Sequence, residues 1–195
     1  EKYNIQKPFI IYTGSVYPHK NIERLIQSIK LLDDLNHINK KIQLILVCSR
    51  NIFLQRLEQT IKIMRVQEYV KPLGFVTDEE LVLLYQQASC FIFPTLSEGF
   101  GLPGLEAMAS GCPAICSDIP VLKEIYGDAV QYFDPLDIQD IANKIQKICD
   151  ISTDQKEGII EKGLKQVNKY SWQKMARETI KITQLYEIWL KCWDL

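Results

Sequence analysis

The sequence lacks several features that mark common classes of protein. No apolar run approaches the ~20 residues that cross a bilayer, and no secretory signal is visible. The net charge is only −1, whereas nucleic-acid-binding proteins usually carry a strong basic excess. With 47% hydrophobic and 24% charged residues, the composition predicts a soluble globular protein without nucleic acid as a partner.

The cysteines form no C-x-x-C pair. Because they are dispersed and several fall inside predicted strands, we expect buried free thiols in a reducing cytosol, not disulfides or a metal site. The acidic clusters Asp33-Asp34 and Asp78-Glu79-Glu80 lie in predicted helices, where solvated faces and the helix dipole explain them. No bound metal is therefore expected. The six cysteines are Cys48, Cys90, Cys112, Cys116, Cys149 and Cys192.

Internal repeats, low-complexity tracts and Gly/Ser linkers are also missing, and 195 residues fit one domain. Strand and helix patterns alternate, which predicts an α/β fold with a Rossmann-like parallel sheet and helices on both faces. Pro72 predicts an edge or a break in its strand. The predicted strands are Phe9 to Ser15, Leu44 to Cys48, Val70 to Phe75, Phe91 to Pro94, Ala114 to Ser117 and Ala129 to Phe133.

Helix signals lie between these strands. Asn21 is predicted to cap a helix that ends near Asn36, and Thr77 with Glu80 forms a capping box for the third helix. A helix that includes Met64 follows the second strand. The remaining predicted helices are a short one closed by Gly111, Pro120 to Tyr126, one from Ile138 to Ile148, Gln155 to Lys169 and Ser171 to Lys191.

The most informative segment is Ser97 to Glu106, a glycine-rich turn between a buried strand and a short helix. At such a junction, free backbone N–H groups and the helix dipole favour an anion such as phosphate. Glu98 and Glu106 lie eight residues apart around this turn. A carboxylate next to a phosphate is repelled unless it bonds to a neutral or positive group, and sugar hydroxyls meet that condition. Either glutamate alone fits a simple dipole role, but the joint spacing with three glycines favours a nucleotide diphospho-sugar.

This segment looks like the glutamate-x7-glutamate signature of the retaining GT-B glycosyltransferases of family 4. The resemblance extends over most of the chain. Tyr12 to Ser15 with Pro18 to Asn21 is similar to the family's first strand and basic loop, Gly74 to Leu81 resembles its middle segment, and Ser171-Trp172 matches the start of its last helix.

The resemblance implies two Rossmann-like domains facing each other across a cleft, of which residues 1–195 are the second, donor-binding one. We expect the chain to be part of a longer enzyme or a subunit that needs a partner, with helix 171–192 crossing toward a missing N-terminal acceptor domain. Trp189 and Trp193 would meet that domain. Such an isolated domain should bind donor weakly and transfer little, and the full enzyme would work in the cytoplasm, with membrane-face association left open.

The resemblance also implies roles for individual residues. Glu98 would support developing positive charge at the anomeric carbon, Lys20 would stabilise the leaving diphosphate, and Glu106 would hold the ribose. The base would lie near the loops Cys48-Ser49-Arg50 and Phe75-Val76-Thr77, with a UDP- or GDP-linked donor and no cofactor or metal. The residues implied to bind the donor are Ser15, Lys20, Val76, Leu81, Gly99, Phe100, Gly101, Leu102 and Glu106.

One departure concerns Ser15, since the family commonly has an arginine directly after the first-strand glycine. This removes one of two expected cations, for which His19 could partly substitute.

Two alternatives stay open: a non-catalytic nucleotide-sugar-binding subunit and a non-hydrolysing sugar-nucleotide epimerase, which shares the GT-B architecture. A dinucleotide dehydrogenase is disfavoured because Gly14 to Tyr17 lacks the G-x-G-x-x-G turn.

Overall fold

A computed structural model describes residues 2–34, 41–48 and 52–193, with side chains through residue 184. Its centre is a six-stranded parallel sheet in the order β3-β2-β1-β4-β5-β6. The strands are β1 (Phe9–Thr13), β2 (Gln43–Val47), β3 (Val70–Gly74), β4 (Cys90–Phe93), β5 (Ala114–Ser117) and β6 (Gln131–Phe133). The predicted Rossmann-like sheet is thus confirmed.

The described part of the chain also contains eight α-helices. Helix α1 packs against α2 and α6, while α4 packs against α7. The helices are α1 (Ile22–Asp34), α2 (Ile52–Ile63), α3 (Asp78–Gln87), α4 (Leu102–Ala109), α5 (Pro120–Tyr126), α6 (Ile138–Cys149), α7 (Thr153–Val167) and α8 (Trp172–Trp193).

The central strands are buried on both faces, as expected where helices cover a parallel sheet. Every residue of β1, β2, β4 and β5 is buried. The apolar side chains of α6 at helical spacing, including Ile141 and Ile145, are fully buried against this layer. The described cysteines are free, as predicted, whereas Cys192 lies outside the described side chains.

Local signals predicted several elements well. The capping box of Thr77 and Glu80 is present at the start of α3, and Pro72 lies in β3, an edge strand of the sheet. The predicted bounds of β5 and α5 agree with the structure. Other strands differ by one or two residues at their ends, and Met64 follows the last residue of α2 instead of lying within it.

The prediction that the Asn21 side chain caps the first helix is wrong. This residue has left-handed backbone angles, φ 59 and ψ 30, and follows a 3₁₀ turn, Pro18–Lys20. An N-cap residue normally has extended backbone angles, and its side chain accepts a bond from a helical N–H group. Here the amide group instead bonds to distant loops. The predicted end of this helix near Asn36 falls outside the described residues.

Helix α8 differs from the others in its surroundings. All its residues with described side chains, from Trp172 to position 184, are exposed, including Met175 and Ile182. The helix has an apolar stripe that the described part of this chain does not cover. No helix among the described residues combines the length and the apolar character needed to cross a bilayer.

Candidate functional site

The strand order reverses between β1 and β4, which are neighbours in the sheet although they are not consecutive in the chain. Helix α1 follows β1, and helix α4 follows β4. Crossover connections leave in opposite directions at this point, so a crevice opens beyond the carboxyl ends of the two strands. The loop 14–21 after β1 and the loop 94–101 after β4 form its rim. These are the two loops in which the sequence placed Lys20 and the glycine-rich turn.

Lys20 and Glu98 meet directly in this crevice. The lysine Nζ lies 2.5 Å from a carboxylate oxygen of Glu98, and their side chains are 13% and 19% exposed. The ammonium also lies 5.3 Å from the centre of the Phe93 ring, the last residue of β4. The two side chains that the sequence predicted to be catalytic thus form one partly buried ion pair that still opens to solvent.

Two glycines shape the turn before α4. Gly101 has φ +91, a conformation that residues with a side chain rarely adopt, and a Cβ atom here would overlap the Tyr126 hydroxyl and lie 2.9 Å from Leu122. A Cβ atom on Gly104 would likewise overlap Tyr126. Tyr126 is fully buried and its hydroxyl donates to the carbonyl oxygen of Gly101. The tyrosine therefore fixes the path of the turn.

The same turn presents unpaired backbone donors. Among the described residues, no protein acceptor bonds to the N–H groups of Gly99, Phe100, Gly101 or Leu102, whereas the Gly104 N–H bonds to the Gly101 carbonyl. A Cβ on Gly99 would meet nothing within 4 Å. Successive free N–H groups at a helix start attract an anion. The geometry is suited to a phosphate group beside Lys20.

Glu106 lies one turn into α4 and has a different environment. Its side chain is exposed and makes no ion pair or hydrogen bond within the part of the chain that the structure describes. Partial burial, and to a smaller extent the negative charge of Asp78 at the start of α3, raises the pKa of this carboxyl. Its acceptor oxygens remain available to hydroxyl groups of a ligand.

Some of the predicted binding residues lie beside this pair of loops. The Ser15 carbonyl accepts a hydrogen bond from the buried Tyr12 hydroxyl, which orients the loop after β1. Leu102 is 42% exposed at the start of α4. The Phe100 ring, 39% exposed, packs edge-on against Tyr170 with ring centres 5.6 Å apart.

Of the residues predicted to hold the base, Val76 lies between β3 and α3, and Leu81 lies near the start of α3. Val76 is buried, and its side chain belongs to the core. Leu81 is half-buried and packs against the same core, while Phe75 is 84% exposed. Among the residues that the structure describes, no hydrogen bond or ion pair joins this loop to Glu98 or Lys20. The other predicted base loop, at Ser49-Arg50, lies outside the described residues.

His19 joins the two rim loops through its backbone carbonyl. Its ring is exposed and stacks against Tyr17 with centres 6.1 Å apart, whereas its carbonyl accepts bonds from the Leu96 N–H at 2.7 Å and the Thr95 hydroxyl at 3.3 Å. No three His, Cys, Asp or Glu side chains among the described residues are grouped closely enough to hold a metal ion.

Sequence reasoning missed several residues that shape the site. Asn21 links loops from three strands, Thr95 is fully buried and ties the two rim loops together, and Tyr126 packs against both glycines of the turn. The pairing of Gly101 with Gly104 was a usable signal, because two glycines three residues apart at a helix start indicate close approach by a bulky group. No local signal pointed to Asn21 or Thr95.

Comparison with known proteins gives the family. A family model described as glycosyl transferases group 1 matches residues 1–166. The chain belongs to this family. The matched residues include both rim loops, Lys20 and the two glutamates.

Individual relatives agree with this assignment. The chain is 35% identical over 187 residues to O-antigen chain mannosyltransferase B of Escherichia coli, covering 95% of this chain and 48% of that protein. It is 33% identical over 187 residues to serotype-specific mannosyltransferase WbdA of Escherichia coli, covering 92% of this chain and 22% of that protein. The chain therefore spans about half, or less, of the length of these relatives.

The fold comparison points the same way. Sucrose-phosphate synthase from Thermosynechococcus elongatus superposes with a TM-score of 0.80 at 24% identity, over 98% of this chain and 48% of that one. At this identity the likeness shows the fold alone. The six-stranded parallel sheet matches that of GT-B glycosyltransferases.

Proposed function

We propose that the chain is the donor-binding half of a retaining GT-B glycosyltransferase of family 4, which transfers a hexosyl group from a nucleotide diphospho-sugar to an acceptor hydroxyl. Mannose is the sugar that the names of the relatives favour, and glycan or polysaccharide synthesis is the setting. The observation that carries this proposal is the ion pair of Lys20 and Glu98 next to the free N–H groups of 99–102.

The first step is recognition of the diphosphate. Negative charge on the leaving phosphate grows as the glycosidic bond breaks, so donors aimed at it stabilise the transition state more than the ground state. Lys20 has three N–H donors and can keep Glu98 while donating to a phosphate oxygen. The backbone donors of Gly99 to Leu102 supply further bonds, and the Ser15 hydroxyl adds one where the family commonly has arginine.

The second step concerns the sugar. Glu98 is held at the crevice end of the turn, where its carboxylate would orient sugar hydroxyls and support positive charge at the anomeric carbon. The Glu106 carboxylate, exposed and without a protein partner in the described structure, would accept two ribose hydroxyls, which form strong bonds to a charged acceptor. The base would lie beside Val76 and Leu81. No metal or other cofactor is part of this proposal.

The third element is an acceptor-binding half. The chain covers 48% of the length of the first Escherichia coli relative, and α8 exposes Trp172, Met175 and Ile182 to solvent. We propose that this apolar stripe packs against the acceptor-binding domain, in the same chain or in a partner. The active enzyme would require both halves, and the isolated chain would bind donor weakly without transferring it.

The test measures transfer by this chain combined with its acceptor-binding half. Radiolabelled GDP-mannose and UDP-glucose would be offered to the wild type, to Glu98→Ala and to Lys147→Ala, a control at the exposed far end of α6. Transfer with retained anomeric configuration, lost in Glu98→Ala and kept in the control, is expected. Unchanged transfer in Glu98→Ala would refute the catalytic role, binding without transfer would favour a non-catalytic subunit, and epimerised sugar nucleotide would favour an epimerase.

A further inference from the structure

The contacts around Lys20 suggest how its side chain comes to meet Glu98. The residues on both sides of Lys20 are bonded to the segment directly after β4. Before it, the His19 carbonyl accepts the Leu96 N–H at 2.7 Å and the Thr95 hydroxyl at 3.3 Å. After it, the Asn21 amide donates to the Pro94 carbonyl at 3.1 Å. Hydrogen bonds from the residues on both sides of Lys20 thus join it to the loop that carries Glu98.

Asn21 does more than join two loops. Its amide nitrogen also donates to the carbonyl of Pro135, in the loop after β6, at 2.7 Å. Its oxygen accepts a bond from Arg24 at 2.8 Å, and this fixes which end of the amide faces the two carbonyls, since an amide oxygen cannot donate. The side chain is 5% exposed. Both amide donors and the oxygen are therefore used.

The backbone of Asn21 contributes as well. Its left-handed conformation turns the chain sharply between the 3₁₀ turn and α1, and asparagine adopts this conformation more readily than most residues. The Asn21 N–H bonds to the Pro18 carbonyl at 3.1 Å, and its carbonyl accepts the Leu25 N–H at 3.3 Å. The turn and the amide together set the direction from which Lys20 enters the crevice.

We propose that Asn21 is a positioning residue that holds Lys20 against Glu98 in the geometry that receives the leaving diphosphate. The importance of this geometry for transfer rests on the proposed function. The positioning of Lys20 against Glu98 by Asn21 does not rest on it. In the described structure the Asn21 side chain makes no hydrogen bond to Lys20 or Glu98. It acts through the backbone of Pro94 and through its own position next to Lys20.

The experiment compares the coupling between Lys20 and Glu98 in two backgrounds, wild type and Asn21→Gly. Glycine keeps the left-handed backbone and removes all three side-chain bonds. The matched control is Asn4→Gly, at a left-handed asparagine with φ 45 and an exposed side chain. Lys20→Met, Glu98→Gln and the double variant are unfolded in urea in each background. We expect the equilibrium coupling of the pair to fall at least about threefold in Asn21→Gly and to stay unchanged in Asn4→Gly.

A second readout uses ligand. The affinity for GDP-mannose is measured for wild type and Lys20→Met, again in both backgrounds. We expect Lys20→Met to weaken binding less in Asn21→Gly than in the wild-type background, because the lysine is already misplaced. Asn21→Asp, which turns an acceptor toward two carbonyls, should weaken binding more than Asn21→Gly.

The outcomes separate the two proposals. Equal coupling of Lys20 and Glu98 in both backgrounds would overturn the positioning role, and a general loss of stability without loss of coupling would do the same. Reduced coupling together with no binding of GDP-mannose or UDP-glucose by the wild type would support the positioning role and refute the proposed donor site. Should Asn21→Gly unfold, Asn21→Asp provides the comparison, because aspartate also tolerates the left-handed conformation and loses only the two donated bonds.

Discussion

The two glutamates of the glycine-rich segment are eight residues apart but occupy opposite environments. Glu98 is 19% exposed and paired with Lys20, in a rim whose loops are bonded together through His19, Asn21 and Thr95. Glu106 is exposed, and its carboxylate makes no hydrogen bond or ion pair in the described structure. The end of the site proposed for bond breaking is preassembled, whereas the end proposed for ribose recognition is left open for the ligand.

The difference matters because a preorganised charge does not have to reorganise when the reaction begins. A free acceptor, in contrast, contributes to binding by gaining hydrogen bonds that it lacks without ligand. In a nucleotide diphospho-sugar, the diphosphate separates the glycosidic bond to the transferred sugar from the ribose. Substitutions at the preassembled end should therefore lower kcat as well as donor affinity, whereas substitutions at the open end should lower donor affinity alone.

The largest effect is expected at the preassembled end. Lys20→Ala removes the charge that we propose to act on the leaving phosphate, and it leaves Glu98 without its ion-pair partner. We expect kcat of the two-domain enzyme to fall by about 10²–10³-fold. Steady-state transfer assays would measure this, with Lys147→Ala as the surface control. A fall in kcat of less than about threefold would contradict the assignment of Lys20 to the transition state.

The next effect tests the turn that joins the two ends. Gly104→Ala places a Cβ atom against the buried Tyr126 ring, and we expect the free energy of unfolding to fall by about 1–3 kcal/mol. The control is Gly158→Ala on the exposed side of α7, where nothing lies within 4 Å. This change should raise the free energy of unfolding by about 0.5–1 kcal/mol. Urea titrations that give the same sign for both would contradict the packing described here.

A smaller effect is expected at the open end. Glu106→Gln keeps the shape and removes the charge, so donor affinity should fall by about fivefold while kcat changes little. Because the pKa of Glu106 lies above its ordinary 4.5, wild-type affinity should decline as the pH falls through that raised value. Glu106→Gln should lack this decline. Calorimetric titrations at several pH values would detect it, and identical pH profiles would argue against ribose binding by Glu106.

The same pKa predicts a sign for stability. Burial disfavours the charged carboxylate, so the folded state favours protonation, and this contribution is present below the ordinary pKa of 4.5 and is lost as the pH rises through the raised value. Without ligand, Glu106→Gln should therefore increase Tm at pH 7 compared with the wild type. A decrease would mean that the carboxylate has a stabilising partner.

The smallest effect on the chain itself is expected in α8. Met175 and Ile182 are 52% and 67% exposed, so changing both to lysine should alter the free energy of unfolding by no more than about 0.5 kcal/mol. Ile145→Ala, at a fully buried position in α6, should cost about 2–5 kcal/mol. The α8 variant should nevertheless lose association with the acceptor-binding half, as measured by co-purification. Unchanged association would contradict the proposed packing of this helix.

Local chemistry made much of the fold predictable. Alternating strand and helix patterns, the capping box of Thr77 and Glu80, and Pro72 in an edge strand each depend on residues close in sequence. The glycine-rich turn was predictable for the same reason. The sequence predicted correctly that Glu98 and Lys20 lie at the carboxyl ends of the strands, because each of them follows a strand.

Asn21 shows where this reasoning fails. A residue before an apolar helix is expected to cap it, but the amide of Asn21 bonds to carbonyl groups 73 and 114 residues away. Those partners are visible only after the sheet brings three loops together. The contact of Tyr126 with Gly101 and Gly104 is hidden in the same way, since α5 must first pack beside the turn.

Binding of a sugar nucleotide to the chain tests the central claim most directly. GDP-mannose and UDP-glucose would be titrated by calorimetry into the wild type, Lys20→Ala and Lys147→Ala. We predict one saturable site for at least one of the two donors, with affinity reduced about tenfold or more in Lys20→Ala and unchanged in Lys147→Ala. No saturable binding of either donor, or equal affinity in Lys20→Ala, would contradict the account.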